Sequence, residues 1–69
     1  MNIDLIRLDL KKLIGKRHYF VYFSGRGQYE KFNGFINHVY SRIFTIITDN
    51  GQLKSISYSD YVIKNIKIL

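Results

Sequence analysis

The chain of 69 residues has no cysteine and no proline. Without cysteine there is no disulfide framework, no thiolate zinc knuckle and no thiol nucleophile, so stability has to come from packing or association. Without proline, no ring blocks a free strand edge, which favours a fold that closes its edges. Carboxylates are scarce too: Asp4, Asp9, Glu30, Asp49 and Asp60 face 11 lysines and arginines, for a net charge of +6. They are scattered, and no pair has the spacing of a shared catalytic site. Long apolar runs are absent. The longest uncharged stretches, such as Phe32 to Ser41, fall far short of the roughly 20 residues of a spanning helix. Asp4, Arg7 and Asp9 interrupt the N-terminus, which therefore does not read as a secretion signal. The expected location is the cytoplasm, away from membranes.

What the chain has in excess is apolar surface: 46% of its residues, including six tyrosines and five phenylalanines. A chain this short buries only about 60% of the surface its unfolded form exposes. One domain covering residues 1–69 is expected, with some apolar surface left over for an interface or a homodimer.

Residues 3 to 14 read as a helix. Ile3, Ile6, Leu10, Leu13 and Ile14 recur at helical spacing, Asn2 can cap the start, and Gly15 can take the left-handed stop. Leu5 and Leu8 lie off this stripe. From about residue 16 to residue 69 the pattern is that of strands. His18 to Phe23 is aromatic or β-branched almost throughout, with Tyr19, Val21 and Phe23 on one face and Phe20 and Tyr22 on the other. Residues 24–28 form a turn, and a long strand follows from Tyr29 to about His38. Gly34 in its middle suggests a bend or bulge that lets one strand serve both halves of a small barrel. Ile43 to Thr48 is a third strand, Asp49-Asn50-Gly51-Gln52 a hairpin turn, and Leu53 to Tyr58 a fourth strand. Ser59 and Asp60 read as a turn or helix cap, and Lys64 to Leu69 as a fifth strand with Ile66 and Ile68 inward. The expected fold is all-β with an N-terminal helix: a small five-stranded SH3-like or Sm-like barrel.

Catalytic patterns are not legible. His18 and His38 could meet across neighbouring strands, but two imidazoles without a third ligand make a poor metal site. No serine lies in a nucleophile-elbow pattern. Gly25-Arg26-Gly27 lacks the second half of a phosphate-binding fingerprint and leads into no helix. The chain is expected to be no enzyme and to use no cofactor and no metal.

Binding is what remains. From Leu10 to Tyr29 the chain carries Lys11, Lys12, Lys16, Arg17 and Arg26 and not one carboxylate. The dipole at the helix end accounts for Lys11 and Lys12. Lys16, Arg17 and Arg26 follow the helix stop, where folding does not demand them. Together with Lys31, Tyr19, Tyr22 and Tyr29 they form the candidate basic and aromatic surface, suited to an acidic protein or to nucleic acid.

A further set of residues carries a resemblance. Leu10, Ile14-Gly15-Lys16-Arg17, Gly25-Arg26, Asn33-Gly34-Phe35-Ile36, Tyr40 and Ile43-Phe44-Thr45-Ile46 are followed by Ile56-Ser57-Tyr58-Ser59-Asp60-Tyr61-Val62, Ile66 and Ile68. In this order the chain resembles the Veg family of small bacterial proteins. The resemblance implies an SH3-like barrel behind an N-terminal helix. It also implies a non-enzymatic role in stimulating biofilm formation, with an effect on matrix-gene transcription through a repressor protein. The leading expectation is a regulatory protein that binds another protein, and the alternative is a small barrel that binds RNA or DNA.

Overall fold

A computed structural model of the chain describes residues 2–25 and 27–69. Helix α1 runs from Ile3 to Lys11. The Asn2 side chain accepts the Leu5 amide at 3.1 Å, satisfying one of the donors that a helix start leaves unpaired. The helix ends sooner than Ile14. Leu13 and Ile14 donate to the carbonyls of Leu10 and Lys11 at 3.0 and 3.3 Å, which tightens the last turn before Gly15 reverses the chain at φ +88°. Ile6 and Leu10 are buried and Ile3 and Leu13 pack beside them, while Ile14 falls outside the buried stripe.

The strands are β1 (Arg17–Phe23), β2 (Tyr29–Val39), β3 (Ile43–Thr48), β4 (Leu53–Ser57) and β5 (Ile66–Ile68), with helix α2 (Tyr58–Val62) before the last. All pairings are antiparallel, in the order β4-β3-β2-β1-β5. The result is one open sheet, and among the described residues no ladder joins β4 to β5. Strand β2 serves two neighbours in succession. Its residues from Tyr29 to Phe35 pair with β1, and those from Gly34 to Val39 pair with β3. Gly34 and Phe35 belong to both ladders, and at Gly34 only a residue without a side chain fits. A Cβ at Gly34 would lie 2.9 Å from the Thr48 Cα and would overlap the Ile47 carbonyl oxygen. The irregularity expected at Gly34 lies further on: the register shifts between Ile36 and His38, so the extra residue is Asn37.

The sheet curls. Lys54 of β4 reaches Glu30 of β2 at 3.3 Å and stands 5.1 Å over the Phe32 ring, although β3 separates these strands in the ladder. Inside the curl, Phe20, Ile36, Phe44, Ile46, Ile56 and Ile66 pack with Tyr58 and with Ile6 and Leu10 of α1, which lies across the sheet. Every element contributes to this one cluster.

Two local readings need correction. The β3–β4 hairpin closes around Asp49-Asn50-Gly51. The Thr48 amide donates to the Gln52 carbonyl at 2.9 Å, and Gly51 alone of the loop takes positive φ, at +86°. The loop proper is three residues, one shorter than the turn from Asp49 to Gln52 read from the sequence, because Gln52 already pairs with Thr48. The cap of α2 is Ser57, whose Oγ accepts the Asp60 amide at 3.0 Å, and Ser59 and Asp60 lie inside the helix. Strand β4 therefore ends before Tyr58. Strand β5 starts at Ile66 because Lys64 takes φ +64° and Asn65 donates back to the Asp60 carbonyl at 2.9 Å.

Candidate functional site

Residues opposite one another in an antiparallel ladder share a face of the sheet. On β1, Phe20 is fully buried and His18 and Tyr22 lie on its face, which leaves Arg17, Tyr19, Val21 and Phe23 on the outer one. The partners of these residues on β2 are Phe35, Asn33, Lys31 and Tyr29. Strand β5 adds Lys67 opposite Val21, and the Leu69 amide donates to the Tyr19 carbonyl at 2.9 Å. Lys31 and Lys67 thus flank the half-buried Val21 on three adjacent strands. Beside this row the Phe23 and Tyr29 rings lie 5.3 Å apart, with Tyr29 65% exposed. On the other side are Tyr19 and Asn33. Three of the expected residues, Tyr19, Tyr29 and Lys31, therefore come together on one surface. Lys67 was missed. The alternation of Ile66 and Ile68 already turns it outward, but only the pairing of β5 with β1 brings it beside Lys31.

The other candidates are placed differently. Lys16 is exposed immediately before β1. Arg17 is engaged within the fold: its Nε lies 3.2 Å from each carboxylate oxygen of Asp49, and its Nη2 also donates to Asp49 Oδ2. These hydrogen bonds, with the attraction of opposite charges, raise the Arg17 pKa, and the bonds from Arg17 hold the Asp49 carboxyl below its ordinary range. Arg26 lies outside the described residues. Tyr22 faces the core side, where its hydroxyl donates to Asp60 Oδ2 at 3.4 Å. Burial first, and then the Asp60 charge, push its phenol pKa up. His18 and His38 do not meet, since His18 pairs with Gly34 and His38 with Thr45. The His18 ring instead lies 3.2 Å from the Leu13 carbonyl.

A cleft of about 490 Å³ opens between the first half of β2 and the β3–β4 hairpin. Lys31, Asn33, Asn50, Gln52 and Lys54 are among its lining residues. No helix of the described residues is long and apolar enough to cross a membrane.

Compared with known protein families, the chain matches over residues 1–69 the family described as biofilm formation stimulator VEG. No curated protein matches it, and no solved structure does.

Proposed function

The chain belongs to the VEG family of biofilm formation stimulators, and on that premise we propose that it is a non-catalytic regulator that binds another protein and thereby influences transcription of biofilm-related genes. The observation that carries this reading is the outer face of β1 and β2. Tyr19, Phe23 and Tyr29 leave ring surface uncovered there beside Lys31 and Lys67, next to a core that is already complete without them. Aromatic side chains anchor a partner at low conformational cost, and lysines at the rim steer an acidic one. Lys16 adds to the steering charge, whereas Arg17 is neutralised by Asp49. The strand order, the doubly paired β2 and the helix between β4 and β5 support a small SH3-like or Sm-like barrel left open between its end strands. In this reading the protein works in the cytoplasm.

The test replaces Lys31 and Lys67 with glutamate and Tyr29 with alanine in cells that lack the native protein. Loss of biofilm stimulation with an unchanged melting temperature is expected. Full stimulation by this triple variant would remove the surface from consideration.

A second reading, nucleic-acid binding, is favoured by the same lysine pair next to exposed rings, since rings stack on bases and lysines neutralise phosphates. It predicts affinity for mixed oligonucleotides that falls by orders of magnitude between about 50 and 200 mM salt. Absence of binding at the lower salt would dispose of it.

A further inference from the structure

Strand β2 has an unusual edge. It pairs with β1 from Tyr29 onward, but its ladder with β3 begins only at Gly34. Alternate residues of an antiparallel strand direct their N–H and C=O groups to opposite sides. The Asn33 carbonyl accepts the Asp49 amide at 2.9 Å, so the odd-numbered residues point towards β3. Tyr29 and Lys31 point the same way, past the end of β3 at Thr48. Lys31 lines the cleft between β2 and the β3–β4 hairpin, and Tyr29 continues the same edge just beyond it.

We propose that this recessed edge, Tyr29 to Asn33, receives an extended acidic segment of the partner protein, which adds to β2 as a further antiparallel or parallel strand. The inference rests on the reading of the protein as a protein-binding regulator and specifies the partner's chemistry. Strand addition supplies affinity through main-chain hydrogen bonds and specificity through alternate side chains. About five residues of extended chain, roughly 16 Å, match the exposed edge. Charge selects the occupant. Around the cleft Lys54 is compensated by Glu30 and Asp49 by Arg17, whereas Lys31 makes no ion pair among the described residues. Lys31 lies on the outer face, and Phe32 beside it on the inner one, stacked on Phe20 at 5.4 Å. An incoming strand that alternates carboxylates with apolar residues would therefore place its charges beside Lys31 and its apolar side chains on the inner side, where Lys54 stands over the Phe32 ring.

The experiment follows backbone amides of the isotope-labelled full chain by NMR during titration with a synthetic peptide of alternating glutamate and valine. Shifted resonances and slowed hydrogen exchange at the Tyr29 and Lys31 amides are expected. A peptide N-methylated along one edge should fail to bind, and Lys31→Glu should weaken binding of the parent peptide about tenfold while leaving the rest of the spectrum unchanged. No binding at millimolar peptide, equal binding of the methylated peptide, or shifts confined to Tyr19 and Lys67 would overturn the proposal. So would protection of the same amides by a single-stranded oligonucleotide alone, or by raised protein concentration without peptide. None of these results touches the biofilm test of the triple variant, so failure here is distinguishable from failure of the regulatory reading.

Discussion

Arg17, the first residue of β1, grips both carboxylate oxygens of Asp49, which follows β3. The pair ties together elements that are 32 residues apart in the chain. It also removes from the interaction surface a cation that the sequence alone would assign to it.

Because hydrogen bonds from Arg17 hold the Asp49 carboxyl below its unfolded value, the pair stabilises the fold above the ordinary carboxylate range. That contribution is lost as pH falls through the folded-state pKa. Urea unfolding of the wild type and of Asp49→Asn, compared from neutral pH to about pH 2, should show a difference that shrinks on acidification. A difference independent of pH would mean that the ion pair contributes no stability.

Gly34→Ala is expected to be among the most damaging small substitutions in the chain. The new methyl would meet backbone of β3 at Ile47 and Thr48, which cannot turn aside as a side chain can. Separating two paired strands to make room costs on the order of 3 kcal/mol, a large share of the stability of so small a protein. Thermal unfolding followed by circular dichroism would show it, and a variant as stable as the wild type would contradict the close approach.

Tyr22 and Tyr61 both have raised phenol pKa values and so contribute to the alkaline limit. Burial, followed by the Asp60 charge, raises the Tyr22 phenol above the ordinary value of 10.0, so the unfolded chain loses this proton first. Stability associated with Tyr22 is complete below that value and declines as pH rises through the folded-state pKa. In Tyr22→Phe the alkaline decline should be shallower. Unfolding measured from about pH 8 to pH 11 gives the comparison, and identical slopes would exclude the linkage.

Tyr58 is 2% exposed, and its hydroxyl donates to the Tyr40 carbonyl. Tyr58→Phe keeps the ring contacts with Phe44 but leaves that carbonyl without its donor, at a cost of about 1–2 kcal/mol. Denaturant midpoints at neutral pH measure the loss directly.

Much of the architecture is readable residue by residue. Asn2, the spacing of Ile6 and Leu10, and Gly15 mark the first helix because caps, stripes and left-handed stops are properties of neighbouring residues. The strand alternation and Gly51 are local in the same sense, which is why the strand positions agree with the structure to within a few residues. Ser57 escaped notice as a cap because the end of β4 depends on Tyr58 being drawn into the core, where Phe44 and the Tyr40 carbonyl hold it.

The candidate surface divides along the same line. That Lys31, Tyr19 and Tyr29 belong to a basic and aromatic surface follows from composition and alternation. That Lys67 joins them, that Arg17 is tied to Asp49 and that Tyr22 turns inward to Asp60 depends on which strands become neighbours and on the curl of the sheet. By itself the sequence determined the elements, the inward residues and the excess of positive charge, since each depends on contacts within a few positions. Only the tertiary structure decided which charges stay available and where β2 is left unpaired, because hydrogen-bond partners and ion pairs between distant segments are set by the packing of the whole chain.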